Sequence, residues 1–280
     1  MQACAAMRLV TFRDRAGLVG TGRVDGSEVM ALRAPTMLDW LRGQGREDAD
    51  TVHSLDAVTL LAPVPEPPSV RDFYAFEQHV ATGWRRRGGE IPRAWYEAPT
   101  FYFSNPAAIH GPGQTVYRPA ATEMLDFELE IAAVIDGAGG IAGFTLLNDW
   151  SARDIQREEM TVGLGPAKGK DFALSLGPWL TTPDELPQTG GRLQLEATAT
   201  VNGRELTRAS AADQHFSWEE LVAHAARDTR LRAGDVIGSG TLNRGCLLEL
   251  GPLEGGRFLE PGDVVAISAE GLGTLETPIA

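Results

Sequence analysis

Residues 125–135 read Leu125-Asp126-Phe127-Glu128-Leu129-Glu130-Ile131-Ala132-Ala133-Val134-Ile135. Apolar residues fill every second place over the first seven, the period of a strand whose side chains alternate between faces. Leu125–Ile135 is therefore expected to be a strand. Phe127, Leu129 and Ile131 share one face, and Asp126, Glu128 and Glu130 share the other. Three like charges in a row repel, and the segment is too apolar to be a solvated tail. A divalent cation would remove that repulsion. A donor set made only of oxygen suits Mg²⁺, Mn²⁺ or Ca²⁺ rather than zinc. Taken alone, the same stretch also reads as an ordinary solvent-exposed acidic face.

The neighbours of this stretch add candidates. Ile141–Leu147 reads as a second strand and runs into Asn148-Asp149. That puts Asp149 at a strand end, where sites in sheet proteins commonly lie. Upstream, Asp72–Val80 has helical spacing, which would project Asp72 and His79 from one face roughly 10 Å apart at ~1.5 Å rise per residue. The carboxylate could then reach a metal while the imidazole reaches what the metal binds. By itself, His79 reads more readily as a structural histidine.

The rest of the chain supplies a mostly β setting. Met7–Phe12 and Leu18–Val24 are β-like, Asp25-Gly26 is a hairpin signal before Val29–Leu32, and Thr36 caps a short helix, Met37–Arg42. The run Pro63-Val64-Pro65-Glu66-Pro67-Pro68 is expected to be extended and semi-rigid. The domain reading is thus a small N-terminal β-rich domain over 1–62, a linker over 63–68 and a larger domain over 69–280. Leu193–Val201 alternates as a strand and turns at Asn202-Gly203. Ser217-Trp218-Glu219-Glu220 is a capping box opening a helix to about Arg230. Gly-Asp-Val recurs at 234–236 and 262–264, each time entering a strand.

Composition narrows the function. The 280 residues carry 25 Lys+Arg against 38 Asp+Glu, a net charge of −13. That balance argues against a nucleic-acid partner, whose phosphates reward clustered positive charge. Hydrophobic residues at 43% supply a core, so disorder is excluded as the main state. No apolar run approaches the roughly 18–20 residues needed to span a bilayer, and MQACAAMRLV is not read as a signal peptide. Two cysteines, Cys4 and Cys246, make no disulfide framework and fit a reducing, cytoplasmic location. Cys246 reads as a packing residue.

Several familiar site types fail on spacing. There is no His-Glu-x-x-His and no Cys-x-x-Cys, which argues against a typical zinc site. Gly163 to Lys170 resembles a phosphate loop, but Asp171 stands where that loop needs Ser or Thr. Gly238-Ser239-Gly240 lacks the spacing of a nucleophile elbow. Lys168 and Lys170 are the only lysines, and both sit in one Gly-rich loop. Arg85-Arg86-Arg87 between glycines reads either as a mobile cationic loop able to close over a substrate carboxylate or as a solvated basic turn.

The segment Asn148-Asp-Trp-Ser-Ala-Arg-Asp-Ile-Gln156 resembles the signature of the fumarylacetoacetate hydrolase family. Matching pieces come in family order. They are Arg71-Asp72-Phe73-Tyr74 with His79, then Asp126 to Glu130, Gly165-Pro166 to Gly169-Lys170, Gly177-Pro178-Trp179, and Ser239-Gly240-Thr241 to Leu248-Glu249-Leu250. The resemblance implies an α+β, mostly β fold, a mixed β-roll behind a small N-terminal domain, usually in a homodimer. It implies that Asp72, Glu128, Glu130 and Asp149 ligate one divalent cation, Mg²⁺ or Mn²⁺, with Ca²⁺ a further option. The implied substrate is a small 2-oxo or β-diketo acid, such as an acylpyruvate of the fumarylacetoacetate or fumarylpyruvate kind. The implied reaction is hydrolysis of a C–C bond with an enolate stabilised on the metal, late in aromatic-compound breakdown. His79 held by Glu249 would activate water. Buried in the apolar run Leu247-Leu248-Glu249-Leu250, read as a strand, that acid needs a partner. Arg153, Gln156 and Lys170 match positions that stabilise the developing oxyanion, and Tyr74 and Thr241 match substrate-contacting positions. The lysine loop is one residue longer than in the animal pattern, so Lys168 competes with Lys170. Gly169-Lys170-Asp171-Phe172 favours Lys170. The family also contains oxaloacetate decarboxylases and hydratases or isomerases of unsaturated 2-oxo acids, which form the alternative reading.

Overall fold

The computed structural model describes residues 7–47 and 51–280. Cys4 and most of the N-terminal stretch read above for a signal peptide lie outside the described residues. A mixed sheet of 12 strands forms the spine. Its path runs Val52–Ser54, Glu28–Ala31, Val19–Asp25, Arg8–Arg13, Leu174–Thr181, Ile141–Asp149, Leu129–Ile135, Val236–Gly238, Val70–Phe73, Phe101–Ser104. Pairing is antiparallel along this path except between Val236–Gly238 and Val70–Phe73. The N-terminal strands join the sheet where Arg8 faces Thr181 and Leu9 faces Leu180. A second, antiparallel sheet is built from Arg204–Ser210, Glu196–Val201, Val264–Ala269 and Gly273–Pro278. This is the mostly β, α+β architecture expected.

The sheets meet over one core. Leu129, Ile131, Phe144 and Leu146 of the spine cluster with Ala199, Ile267 and Leu275 of the smaller sheet. The Phe144 ring lies 5.1 Å from that of Trp218, on the helix Trp218–Ala226. Leu129–Ile135 is buried on both faces: Leu129, Ile131, Ala133 and Ile135 enter this core, while Ala132 and Val134 enter another. A strand covered on both sides must be apolar nearly throughout. Glu130, on the Ala132 face, is therefore a buried charge with no ordinary structural excuse.

Four local expectations are corrected. The strand expected over 125–135 is broken at Phe127-Glu128. Leu125–Asp126 pairs instead with Ser151–Ala152, and the Glu128 N–H donates to Asn148 Oδ1 at 2.9 Å. Asp72 lies not on a helix but in the strand Val70–Phe73, opposite Gly238. His79 belongs to the separate helix Glu77–Arg86. That helix also absorbs Arg85 and Arg86 as its last turn, and the Arg87 guanidinium stacks 4.4 Å from the Trp84 ring, so the arginine run is no mobile loop. Leu247–Leu250 is a four-residue helix rather than a strand, because Asp126 accepts the N–H groups of Leu247 (2.7 Å) and Leu248 (3.0 Å) at its start. The capping box at Ser217 forms as read, though its helix stops at Ala226 rather than Arg230.

Candidate active site and metal centre

Four carboxylates converge where the spine's central strands meet. Asp72, Glu128, Glu130 and Asp149 each offer an oxygen, and these atoms lie within 4.8 Å of one another. All four residues are buried. Register explains the convergence. Ala132 faces Gly238, which faces Asp72, so Asp72 reaches the same face as Glu130 across one intervening strand. Gly238 makes the crossing feasible, since a Cβ there would collide with the Asp72 carboxylate. The Gly240 N–H donates to Asp72 Oδ1 at 3.3 Å, and Thr241 Oγ1 lies 3.4 Å from Glu130 Oε1.

Such a cluster is electrostatically costly unless something positive enters it. Burial, reinforced by the neighbouring acids, pushes Asp72 and Glu130 well above the usual carboxylate range, and burial also raises Asp149. Burial acts upward on Glu128 too. There, Lys170, Arg153 and His79 outweigh it and hold the group well below its ordinary value. Lys170 Nζ sits 2.5 Å from Glu128 Oε2 and also pairs with Asp149 Oδ2. Burial alone would lower this ammonium, but Asp149 and Glu128 prevail and keep it charged. Lys168 is exposed and pairs only locally, with Asp171 at 2.8 Å. Of the two lysines, the fold therefore brings Lys170 to the cluster. Gly169 permits this, because a Cβ there would press within 2.7 Å of the Gln156 backbone.

The donor set fits a hard divalent cation. All four candidate ligands offer oxygen, and Glu130 Oε2 and Asp149 Oδ1 are buried with no hydrogen-bond partner. Unpaired buried carboxylate oxygens are rare in folded proteins. A cation such as Mg²⁺ or Mn²⁺ would satisfy them.

A second group borders this cage. His79 Nδ1 lies 2.8 Å from Glu249 Oε2, with both side chains nearly inaccessible to solvent. The Tyr74 ring stands edge-on to His79 at 5.4 Å, and burial pushes its phenol up to about 12, so it remains a proton donor at neutral pH. Arg153 ties the two groups together. Its Nε donates to Asp126 Oδ2 at 2.8 Å, its Nη2 pairs with Glu128 at 2.7 Å, and its Nη1 donates to Gln156 Oε1 at 3.2 Å. Asp126 thus holds both Arg153 and the first turn of the helix that carries Glu249. A cavity of about 440 Å³ adjoins Glu249 and is lined by Gln78, Thr82, Arg85, Arg86 and Arg244.

The four carboxylates, His79, Glu249, Lys170, Arg153, Gln156, Tyr74 and Thr241 thus fall in one neighbourhood, and Lys168 does not. The reading missed two contributors. Asp126, grouped there with the metal-facing acids, serves Arg153 instead. Tyr102, whose hydroxyl donates to Asp149 Oδ2 at 2.5 Å, went unread. Its strand, Phe-Tyr-Phe-Ser, carries no polar pattern that marks it.

Residues 69–280 match the family model described as fumarylacetoacetate (FAA) hydrolase C-terminal. The chain is 30% identical to a fumarylacetoacetase of Arabidopsis thaliana, over 77% of this chain and 68% of that protein. It is 29% identical to oxaloacetate tautomerase YisK of Bacillus subtilis, over 91% of this chain and 84% of that protein. Among solved structures, 5-carboxymethyl-2-hydroxymuconate delta-isomerase from Mycobacterium smegmatis superposes with a TM-score of 0.73 at 27% identity, covering 98% of this chain and 99% of that one. No helix among the described residues is long and apolar enough to cross a membrane.

Proposed function

The chain belongs to the fumarylacetoacetate hydrolase family, and on that premise we propose that it hydrolyses a carbon–carbon bond in an acylpyruvate or related β-diketo acid. The observation that carries this reading is the buried His79–Glu249 pair at 2.8 Å beside the carboxylate cage. A carboxylate accepting from Nδ1–H fixes the tautomer and leaves Nε2 with its lone pair free, which makes His79 a base aimed away from Glu249.

In this reading a divalent cation held by Asp72, Glu128, Glu130 and Asp149 supplies Lewis acidity toward the dicarbonyl oxygens. His79 Nε2 removes a proton from water as the water oxygen bonds to the acyl carbonyl carbon. The bond from that carbon to the pyruvyl methylene then breaks. Its electron pair passes to the methylene carbon, which takes up a proton, and the products are a carboxylic acid and pyruvate. Gln156 turns its Oε1 toward Arg153, so its amide N–H groups remain for a substrate oxygen. Arg153 and Lys170 add positive charge where the oxyanion develops. Tyr74 and Thr241 position the substrate. The arginines of the adjoining cavity suit an acyl arm that ends in a carboxylate. A homodimer acting late in aromatic breakdown completes the proposal, and light scattering tests the dimer.

A second reading is favoured by the likeness to an oxaloacetate tautomerase and a delta-isomerase. The same base could move a proton on a 2-oxo acid without adding water, or serve decarboxylation or hydration. A panel of acetylpyruvate, fumarylpyruvate, fumarylacetoacetate and oxaloacetate separates the readings. With metal-stripped protein and Mg²⁺ or Mn²⁺ restored, the diketone enol absorbance should fall while both acids accumulate in equal amounts. Turnover confined to oxaloacetate would replace the hydrolase reading with the second one.

A further inference from the structure

Cys246 enters neither the carboxylate cage nor the proposed reaction, yet it completes a triangle. Cys246, the residue that caps the start of the helix Leu247–Leu250, and Glu249 within it, three residues on, both face His79. Cys246 Sγ is 4.0 Å from His79 Nδ1 and 3.7 Å from Glu249 Oε2, and the latter two atoms are 2.8 Å apart. Tetrahedral zinc with bonds of about 2.3 Å to sulfur and about 2.1 Å to nitrogen and oxygen sets sulfur–nitrogen and sulfur–oxygen edges near 3.6 Å and a nitrogen–oxygen edge near 3.4 Å. Each observed edge is within about 0.6 Å of that geometry.

We propose that His79, Cys246 and Glu249 form a second cation site, selective for a borderline or soft divalent ion such as Zn²⁺ or Cd²⁺. The local sequence carries no zinc motif, and the fold assembles this donor set from two distant segments. Sorting between the sites follows from donor softness. The cage offers only oxygen and suits Mg²⁺ or Mn²⁺, whereas a thiolate and an imidazole favour zinc and cadmium. An independent sign of an absent partner is Glu249 Oε1, buried without any hydrogen bond although its side chain is only 3% exposed. Three protein ligands leave the fourth position to water.

Binding has a defined proton balance. The Cys246 thiol, pushed well up by burial, must release its proton to solvent as the sulfur–metal bond forms. The His79 ring proton moves to Nε2 as Nδ1 becomes a ligand. That same shift removes the lone pair needed for water activation, so occupancy switches the base off. This consequence rests on the role proposed for His79, whereas ion binding itself does not.

The test is a Cd²⁺ titration of the Cys4→Ser protein with its cage saturated by Mg²⁺. Cys246 is then the sole thiol, and a cadmium–thiolate bond reports itself as an ultraviolet charge-transfer band with no turnover required. The expected result is a band saturating at one equivalent and abolished by adding Cys246→Ser. In parallel, the Zn²⁺ concentration that halves acylpyruvate turnover at saturating Mg²⁺ should rise at least about tenfold in Cys246→Ser, since losing a ligand costs no less than losing an outer-shell partner. Absence of the band overturns the site, and because that reading uses wild-type Cys246 it does not depend on how the variant folds. A band without Zn²⁺ inhibition would retain the site and overturn the inference that its occupancy switches off the base.

Discussion

Replacing His79 by alanine should lower kcat for acylpyruvate cleavage by about 10²–10⁴-fold, the usual contribution of a positioned general base. KM should change little, because the imidazole acts on water rather than on the substrate. Cation binding, followed by calorimetry, should stay within a few-fold of wild type, since the ligands are the four carboxylates. Glu249→Gln should give a smaller loss. The amide still meets the imidazole but no longer favours the Nδ1–H tautomer that leaves Nε2 free. A His79→Ala protein that retained more than about a tenth of the wild-type rate would remove the assigned base, because even a weakly placed one contributes more than that.

Glu130→Gln is expected to have effects of opposite sign on binding and on stability. Glu130 is fully buried in the cage, with one oxygen 3.4 Å from Thr241 and the other without a partner. Removing its charge should weaken Mg²⁺ or Mn²⁺ binding at least about 100-fold, more than the usual loss from an outer-shell change. Activity at a fixed, modest metal concentration should fall with it. The metal-free protein should nevertheless melt higher than wild type by about 2 °C or more. Burial and the flanking acids make the ionised form of Glu130 unfavourable in the fold, as its raised pKa shows. A neutral amide of the same shape carries no such penalty. Added metal should then raise the melting temperature of wild type but barely that of the variant. Equal metal-induced shifts in the two proteins would exclude Glu130 from the ligand set.

The sequence made part of this site legible, and the limits have physical causes. Glu128 and Glu130 could be read because alternation marks both and charge in so apolar a run needs an explanation, although Glu128 reaches the cluster from just outside the strand Leu129–Ile135. The same alternation misassigned Asp126. A side-chain acceptor from Asn148 ends the alternation two residues early, and no local pattern shows that bond. Asp72 was read with the wrong element. Its strand has four residues, and its register partners in the sheet are Tyr102 and, more than 160 positions away, Gly238. Glu249 was read as part of a strand because Leu-Leu-Glu-Leu is apolar enough for one. The caps that coil it come from Asp126, distant in sequence. Lys170 and Lys168 were equivalent by composition. The glycine between them distinguishes them, since it lets the loop lie directly on Gln156. Short-range periodicity and turn chemistry were thus visible, whereas register and long-range capping were not.

The central claim is that water, activated by His79, is added across a carbon–carbon bond. Its most direct test is turnover of an acylpyruvate by the metal-restored enzyme in water labelled with heavy oxygen, followed by mass analysis of both products. The expected result is one solvent oxygen in the carboxylate of the acid released from the acyl arm, with pyruvate formed in equal amount and the label lost as turnover is lost in His79→Ala. Turnover that leaves the carbon skeleton intact, or that releases carbon dioxide with no labelled acid, would contradict the account.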